Sequence, residues 1–303
     1  MSTSYLLVAG DARIETLLSL AAGTTTTAVV VGPRAVAETV AASGVDAVTW
    51  LGEPGDTPLE AYAVAVAGIV GAARPDLVLA SARPADRVLA GAAAVALGAP
   101  AFTMPTAVAV VDGGVEITRS VFGGIALETD RVAGPAVVVV DGGGLVAGAD
   151  DAAGAAEIAE VAAAPVGTLT VVETRPATRA EVDLGKAGRI VAVGRGLKSQ
   201  DDLALAEALA AKLGAELACS RPLAEGLGWF THDRYVGVTG AHVAPELYVA
   251  LGISGQLQHT VGARAAGTVV VVNTDGNAPY VKEADYAVVG DLYDVVPALT
   301  EAL

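Results

Sequence analysis

Short runs of Val, Leu and Ala alternate with longer Ala-rich stretches along most of the chain, a rhythm that predicts strands separated by helices. In the N-terminal part, strands are expected at Tyr5–Ala9, Ala28–Val31, Ala47–Leu51 and Leu77–Ala80. Helices are expected between and after them at Ala12–Ala22, Ala35–Ala42, Leu59–Ala73 and Pro84–Leu97. Helical connections of this length imply parallel pairing through crossovers. From Ala107 to Val140 the pattern changes to Val-rich strands broken at Asp112-Gly113-Gly114 and Gly123-Gly124, which predicts hairpins. Asp141-Gly142-Gly143-Gly144 and the Ala/Asp tract behind it predict a loop and then a helix. A polar stretch around Thr174–Lys186, containing Pro176, reads as a linker. A second series follows, with strands at Ile190–Val193, Glu216–Ala218, Tyr235–Val238, Thr268–Val272 and Tyr286–Val289. Its helices are expected at Asp201–Leu213, Pro245–Leu251 and Val295–Ala302.

The fold class is therefore α/β with two domains, 1–177 and 178–303. The first is Rossmann-like with added antiparallel strands, and the second is an open parallel sheet. A length of 303 residues agrees with two domains at ~100–200 residues each. Hydrophobic residues make up 53% of the chain and mean hydropathy is +0.56, which raises the question of a membrane. The longest apolar segments, Ala61–Ala73 and Val88–Phe102, fall short of the ~20 residues a spanning helix needs. The protein is thus not expected to be integral to a membrane. The N-terminus carries no positive segment and too short an apolar run for a signal peptide, so a cytoplasmic location is expected.

A net charge of −16 disfavours nucleic acid, because such binding rests on Lys and Arg neutralising phosphates. Cys219 is the only cysteine and the histidines are His232, His242 and His259, which argues against a metal centre. Cys219 itself reads as a small buried apolar residue.

In an open parallel sheet, ligands bind beyond the carboxyl ends of the strands, at the point where strand order reverses. In the second half, small, polar or charged residues follow each predicted strand: Gly194-Arg195-Gly196, Ser220-Arg221, Thr239-Gly240, Asn273-Thr274-Asp275 and Asp291-Leu292. The string Ser254-Gly255-Gln256-Leu257-Gln258-His259 has the same character. Gly194 to Ser199 is an incomplete dinucleotide fingerprint, in which two glycines still permit a tight turn and close backbone approach to a phosphate. Ser199 could cap the next helix, with Asp202 three residues on. Arg221 could face a ligand that gains negative charge or form a surface ion pair. Asn273 and Asp291 could equally be ordinary turn and cap residues. His259 could be a functional or a structural donor in a Gly-flanked loop. Trp229 and Phe230 could cover a ring system or pack in the core.

Together and in order, G-R-G-L-K-S, C-S-R, V-G-V-T-G and V-A-P-E-L-Y-V-A-L-G-I-S-G-Q-L-Q-H resemble the α subunit of electron-transferring flavoproteins. The closing D-Y-A-V-V-G-D-L-Y-D-V-V-P-A-L-T-E-A-L is similar to the same family's C-terminus. The resemblance implies FAD, bound mainly by the C-terminal domain. By position it assigns cofactor contacts to Arg195, Ser220, Arg221, Val236, Gly237, Val238 and Thr239. It also assigns them to Ser254, Gly255, Gln256, Leu257, Gln258, His259, Asn273, Asp291 and Leu292. Arg221, Thr239 and His259 would lie near the isoalloxazine ring. Ser254 and Gln258 would hold the ribityl–phosphate part, and Asn273 and Asp291 the adenosine end.

The family usually has Gln where this chain has Val238, and Lys where it has Ala241. The implied work is electron carriage, not substrate conversion. Dehydrogenases such as the acyl-CoA dehydrogenases of fatty acid β-oxidation would donate, and a quinone-reducing acceptor would receive. A β subunit would complete a heterodimer. An electron-bifurcating relative and a pyridine-nucleotide-dependent dehydrogenase are the alternatives, the latter disfavoured by Ser199 in place of a third glycine.

Overall fold

Leu6 and Leu7 are neighbours in the chain, yet each belongs to a different core. Alternate residues of a strand point to opposite faces of its sheet, so a strand buried on both sides reads as one continuous apolar run. That is the design of the first of two compact units, Met1–Arg175 and Pro176–Leu303. The computed structural model describes residues 2–122, 126–140, 155–167, 169–173 and 182–303.

In the first unit the strands Thr3–Ala9 (β1), Thr25–Val31 (β2), Ala47–Trp50 (β3), Leu77–Ser81 (β4) and Ala101–Thr103 (β5) are joined through helices. These are Glu15–Leu20 (α1), Arg34–Ala41 (α2), Ala63–Ala73 (α3) and Pro84–Leu97 (α4). An antiparallel sheet follows, Pro105–Val111 (β6), Gly114–Val121 (β7) and Ala126–Ala133 (β8). Ala136–Val140 (β9) and Ile158–Glu160 (β10) return to the main sheet, whose order is β10-β3-β2-β1-β4-β9-β5 with every pair parallel. Residues of α1, α2 and β7 cover one face through Leu17, Val40 and Ile117. On the other face, α3 and α4 contribute Val66, Val70, Leu89 and Ala93.

The expected hairpin at Asp112-Gly113 is present. Val111 pairs with Gly114, and Gly113 takes φ +80°. The expected turn at Gly123-Gly124 lies outside the described residues, as do the loop at 141–144, the tract up to 154 and most of the expected linker. The end of that linker differs from expectation. Leu184–Lys186 forms a 3₁₀ turn, and Leu184 is buried in the core of the second unit.

The second unit contains Arg189–Val193 (β11), Leu203–Leu213 (α5), Glu216–Cys219 (β12), Leu247–Leu251 (β13) and Leu257–Ala263 (α6). Thr268–Asn273 (β14), Pro279–Glu283 (α7), Tyr286–Val289 (β15) and Leu292–Ala302 (α8) complete it. All five strands are parallel, in the order β12-β11-β13-β14-β15. Residues of α5 and α8 cover one face with Leu209 and Val296. On the opposite face, α6 and α7 contribute Ala263 and Tyr280.

Two expectations are corrected in this unit. Pro245–Leu251 is not a helix, because Leu247–Leu251 is the central strand β13, hydrogen-bonded to β11 and β14. A short apolar run buried on both faces lacks the alternation that distinguishes strand from helix. Tyr235–Val238 is not a strand of the sheet. It makes only single bridges, Cys219 to Tyr235 and Val236 to Ala241, before the chain turns at Gly237. No helix among the described residues is long and apolar enough to cross a membrane.

Candidate functional site

Strand order reverses between β11 and β13, since β12 lies on one side of β11 and β13 to β15 on the other. The crevice of such a sheet opens beyond the carboxyl ends of those two strands. There the chain is almost pure backbone. Gly194 N–H donates to Leu251 O at 2.9 Å, and Gly196 N–H to Gly252 O at 3.1 Å. A Cβ on Gly194 would stand 2.4 Å from Gly252 O, and one on Gly196 would stand 2.6 Å from Gly252 Cα. The two loops therefore meet without side chains between them, and buried Leu292 closes over their glycines.

Further loops are tied into this edge. Ser220 N–H donates to Val193 O at 2.9 Å, which places Ser220-Arg221 beside the end of β11. Val236 N–H donates to Cys219 O at 3.0 Å. Val238 N–H donates to Gln258 O at 2.8 Å, so the Val236–Thr239 segment lies against α6. Gly237 and Gly262 permit this approach, since a Cβ on Gly262 would fall 2.4 Å from Gly237 N. Gly255, at φ +77°, packs on Tyr280. Asn273 Nδ2 donates to Ile253 O at 2.9 Å, and its Oδ1 accepts from Asp275 N–H. Asp291 caps α8 by accepting from Tyr293 N–H at 3.0 Å. The residues expected at the site each follow a strand of this one sheet in the chain, except Asn273, which is the last residue of β14. Exposed Arg195 sits between its two glycines, and Ser254, Gln256, Leu257 and Gln258 are exposed on the following loop and helix start.

The side chains differ sharply in environment. Arg221 is 63% exposed and pairs with Glu225, Nε to Oε2, at 2.6 Å. Glu225 holds the guanidinium above its ordinary value, so it stays charged. His232 Nδ1 stands 3.5 Å from the other oxygen of Glu225. Thr239 Oγ1 is 3.4 Å from Tyr235 OH, a long contact that leaves its hydroxyl available.

His259 is not in a loop but in α6, and it is buried. Its Nε2 is 2.9 Å from Tyr248 OH, while Nδ1 is enclosed and faces the Val236 backbone without a well-aligned bond. Burial pushes the imidazole down to about 4, with the Val236 backbone opposing, so the ring is neutral at physiological pH. Burial likewise pushes the Cys219 thiol up to about 12. Cys219 is a core residue, as expected, and Trp229 and Phe230 are half-buried against the same core.

Sequence reasoning missed three contributors. Tyr248 and Glu225 are described above. Tyr293 is the third: its hydroxyl donates to Asp202 Oδ2 at 2.6 Å and accepts from Lys198 N–H at 2.8 Å. It thereby ties the start of α8 to the Gly194–Ser199 loop. Ser199 itself does not cap α5 with its hydroxyl. Its N–H donates to Asp202 Oδ2 at 2.9 Å, and the helix opens one residue later, at Leu203. The Arg221–Glu225 pair follows an i,i+4 spacing that could have revealed it, whereas the Tyr248 and Tyr293 contacts join residues brought together by the sheet.

A flavin dinucleotide fits this edge on two observations. Glycine backbone at the switch point permits close approach of phosphates, and the exposed Arg221 guanidinium offers a fixed positive charge to an anionic ligand. The two divergent positions are tied by their backbones within the chain: Val238 N–H bonds Gln258 O, and Ala241 N–H bonds Tyr235 O at 2.7 Å. Among the described residues no group of His, Cys, Asp or Glu is placed to hold a metal ion.

Comparison with known proteins agrees with this geometry. Residues 14–166 match the family described as electron transfer flavoprotein domain, and residues 183–264 match electron transfer flavoprotein FAD-binding domain. The second match ends before Asn273, Asp291 and Leu292. The protein FixB of Escherichia coli O17:K52:H18 is 42% identical over 255 residues, covering 83% of this chain and 82% of that protein. FixB of Shigella dysenteriae serotype 1 is 41% identical over the same length. The chain belongs to the electron transfer flavoprotein family as an α subunit, and its C-terminal unit is the FAD-binding domain.

Proposed function

We propose that the chain carries electrons and transforms no substrate of its own, working as one half of a cytoplasmic heterodimer with a β subunit. Dehydrogenases, acyl-CoA dehydrogenases of fatty acid β-oxidation among them, donate the electrons, and a quinone-reducing protein accepts them. FAD, when bound, supplies the redox chemistry. The observation that carries this reading is Arg221, a permanently charged group exposed at the end of β12. A fixed cation there favours a ligand that has gained an electron, and its exposure suits exchange with a protein partner. Thr239 offers a hydroxyl for a hydrogen bond to the ring system, and neutral His259 backs the Val236–Thr239 segment that carries it. In this assignment Ser254 and Gln258 hold the ribityl–phosphate part, and Asn273 and Asp291 the adenosine end.

Co-expression with a β subunit tests the proposal. The purified complex is expected to be yellow, to release FAD on denaturation, and to pass electrons from a dehydrogenase to a quinone-linked acceptor. A colourless protein that binds NAD, or a chain that stays monomeric and fully loaded with FAD beside its partner, overturns it.

A further inference from the structure

Tyr248 lies on the central strand β13, and its side chain is fully buried in the core between the sheet and α6 and α7. A tyrosine hydroxyl buried there requires a partner. The partner it has is His259 Nε2, at 2.9 Å, reached across from the strand to the helix. We infer that Tyr248 is a positioning residue: it donates its hydroxyl proton to Nε2, fixes the ring plane of His259, and turns Nδ1–H toward the backbone of Val236, in the segment assigned to the cofactor. This inference rests on the proposed flavin reading for the use of that segment.

The direction of the hydrogen bond follows from counting protons. A neutral imidazole has one N–H and one bare nitrogen, and a tyrosine hydroxyl has one proton. If Tyr248 donates to Nε2, the ring proton sits on Nδ1, facing the Val236 backbone. If instead Nε2–H donates to the hydroxyl oxygen, the Tyr248 proton and the bare Nδ1 both lack partners in a closed core. Leaving two groups unmet is the costlier arrangement, so the Nδ1–H form prevails. Burial pushes the Tyr248 hydroxyl well above its ordinary value, which keeps the donated proton on oxygen. Tyr280, whose ring stands 6.0 Å from that of His259 at a steep angle, limits rotation from the other side. A partner on the far ring nitrogen is the usual way in which proteins select a histidine tautomer.

The test reads the ring nitrogens by NMR in a complex carrying ¹⁵N-labelled histidine, with His259 assigned by its loss in His259→Leu. The expected result is a protonated Nδ1 and a bare Nε2 in the wild type, and loss of that single form in Tyr248→Phe. Protonated Nε2 in the wild type overturns the inference. Titration with FAD supplies the second readout. Tyr248→Phe is expected to raise the dissociation constant about tenfold (~1.4 kcal/mol), and to add less than about twofold in the His259→Leu background. Additive effects of the two substitutions mean that Tyr248 does not act through His259, and overturn the inference. A wild-type complex that binds no FAD sinks the functional reading instead. The nitrogen measurement needs no flavin and still decides the Tyr248–His259 contact.

Discussion

Two glycines of the second unit share a left-handed backbone and differ in what surrounds them, so they measure what the switch-point contact is worth. Gly252 has φ +62° and Gly214 has φ +59°. An alanine at either position pays the left-handed penalty, about 1–2 kcal/mol. At Gly214, which ends α5, nothing lies within 4 Å of the added Cβ. At Gly252 the Cβ would stand 2.6 Å from Gly196 Cα and 3.0 Å from Gly196 N. Those are backbone atoms, and Gly196 cannot easily retreat because its N–H is bonded to Gly252 O and Leu292 packs over it. Overpacking of this kind costs about 1–3 kcal/mol more. Gly252→Ala is therefore expected to lose roughly 2–5 kcal/mol in total, against 1–2 for Gly214→Ala. The chain has two tryptophans, so in a Trp50→Phe background Trp229 fluorescence follows urea unfolding of this unit alone. Gly252→Ala should also lose FAD while Gly214→Ala retains it. Equal destabilisation of the two variants, to within about 0.5 kcal/mol, would refute the claim that these loops meet backbone to backbone.

Three further outcomes are expected. Cys219 should resist a thiol reagent in the folded protein and react fully in denaturant, since its thiol is buried and pushed up to about 12; rapid labelling of the native chain counts against this packing. In the first unit, Asp86 accepts from Ala9 N–H and Ser81 Oγ–H in the core, and burial raises its carboxyl above the ordinary 3.8. The folded chain then binds this proton more tightly than the unfolded one. Its contribution is fully present below the unfolded value and is lost as pH rises through the folded value. Asp86→Asn should accordingly gain on the wild type in urea midpoint as pH rises from the unfolded value, and a gap that closes instead would reverse the sign. Arg221→Ala should make the first reduction potential of the FAD-loaded complex more negative. Glu225→Gln should make it less negative by releasing Arg221 from its 2.6 Å ion pair. Redox titration that finds both potentials unmoved removes Arg221 from the site.

Much of the fold is legible in the pattern of residues, and the exceptions have physical causes. β1, β2, β4 and β11 stand out because apolar runs of their length are bounded by Gly, Pro or polar residues. The turn at Asp112-Gly113 is legible because only a few residue types take its backbone angles. β13 is not legible. Pro245 suggests the start of a helix, and Leu247–Leu251 is buried on both faces, so no alternation marks it as a strand. That one error matters more than its length. β13 is the strand whose place beside β11 creates the reversal of order, so a helix there removes the crevice. The candidate residues could be chosen one by one from the tails of predicted strands and from a family resemblance. Their meeting could not, because Gly194 and Gly252 are joined by sheet order and not by spacing. The same holds for the polar contacts. Tyr248 and His259 are eleven residues apart, and Lys198 and Tyr293 ninety-five. A motif holds no record of such pairs, since each side chain sits on a different element. Strand-end motifs therefore name the atoms that can touch a ligand, while the residues that aim those atoms emerge only when the strands are set in order.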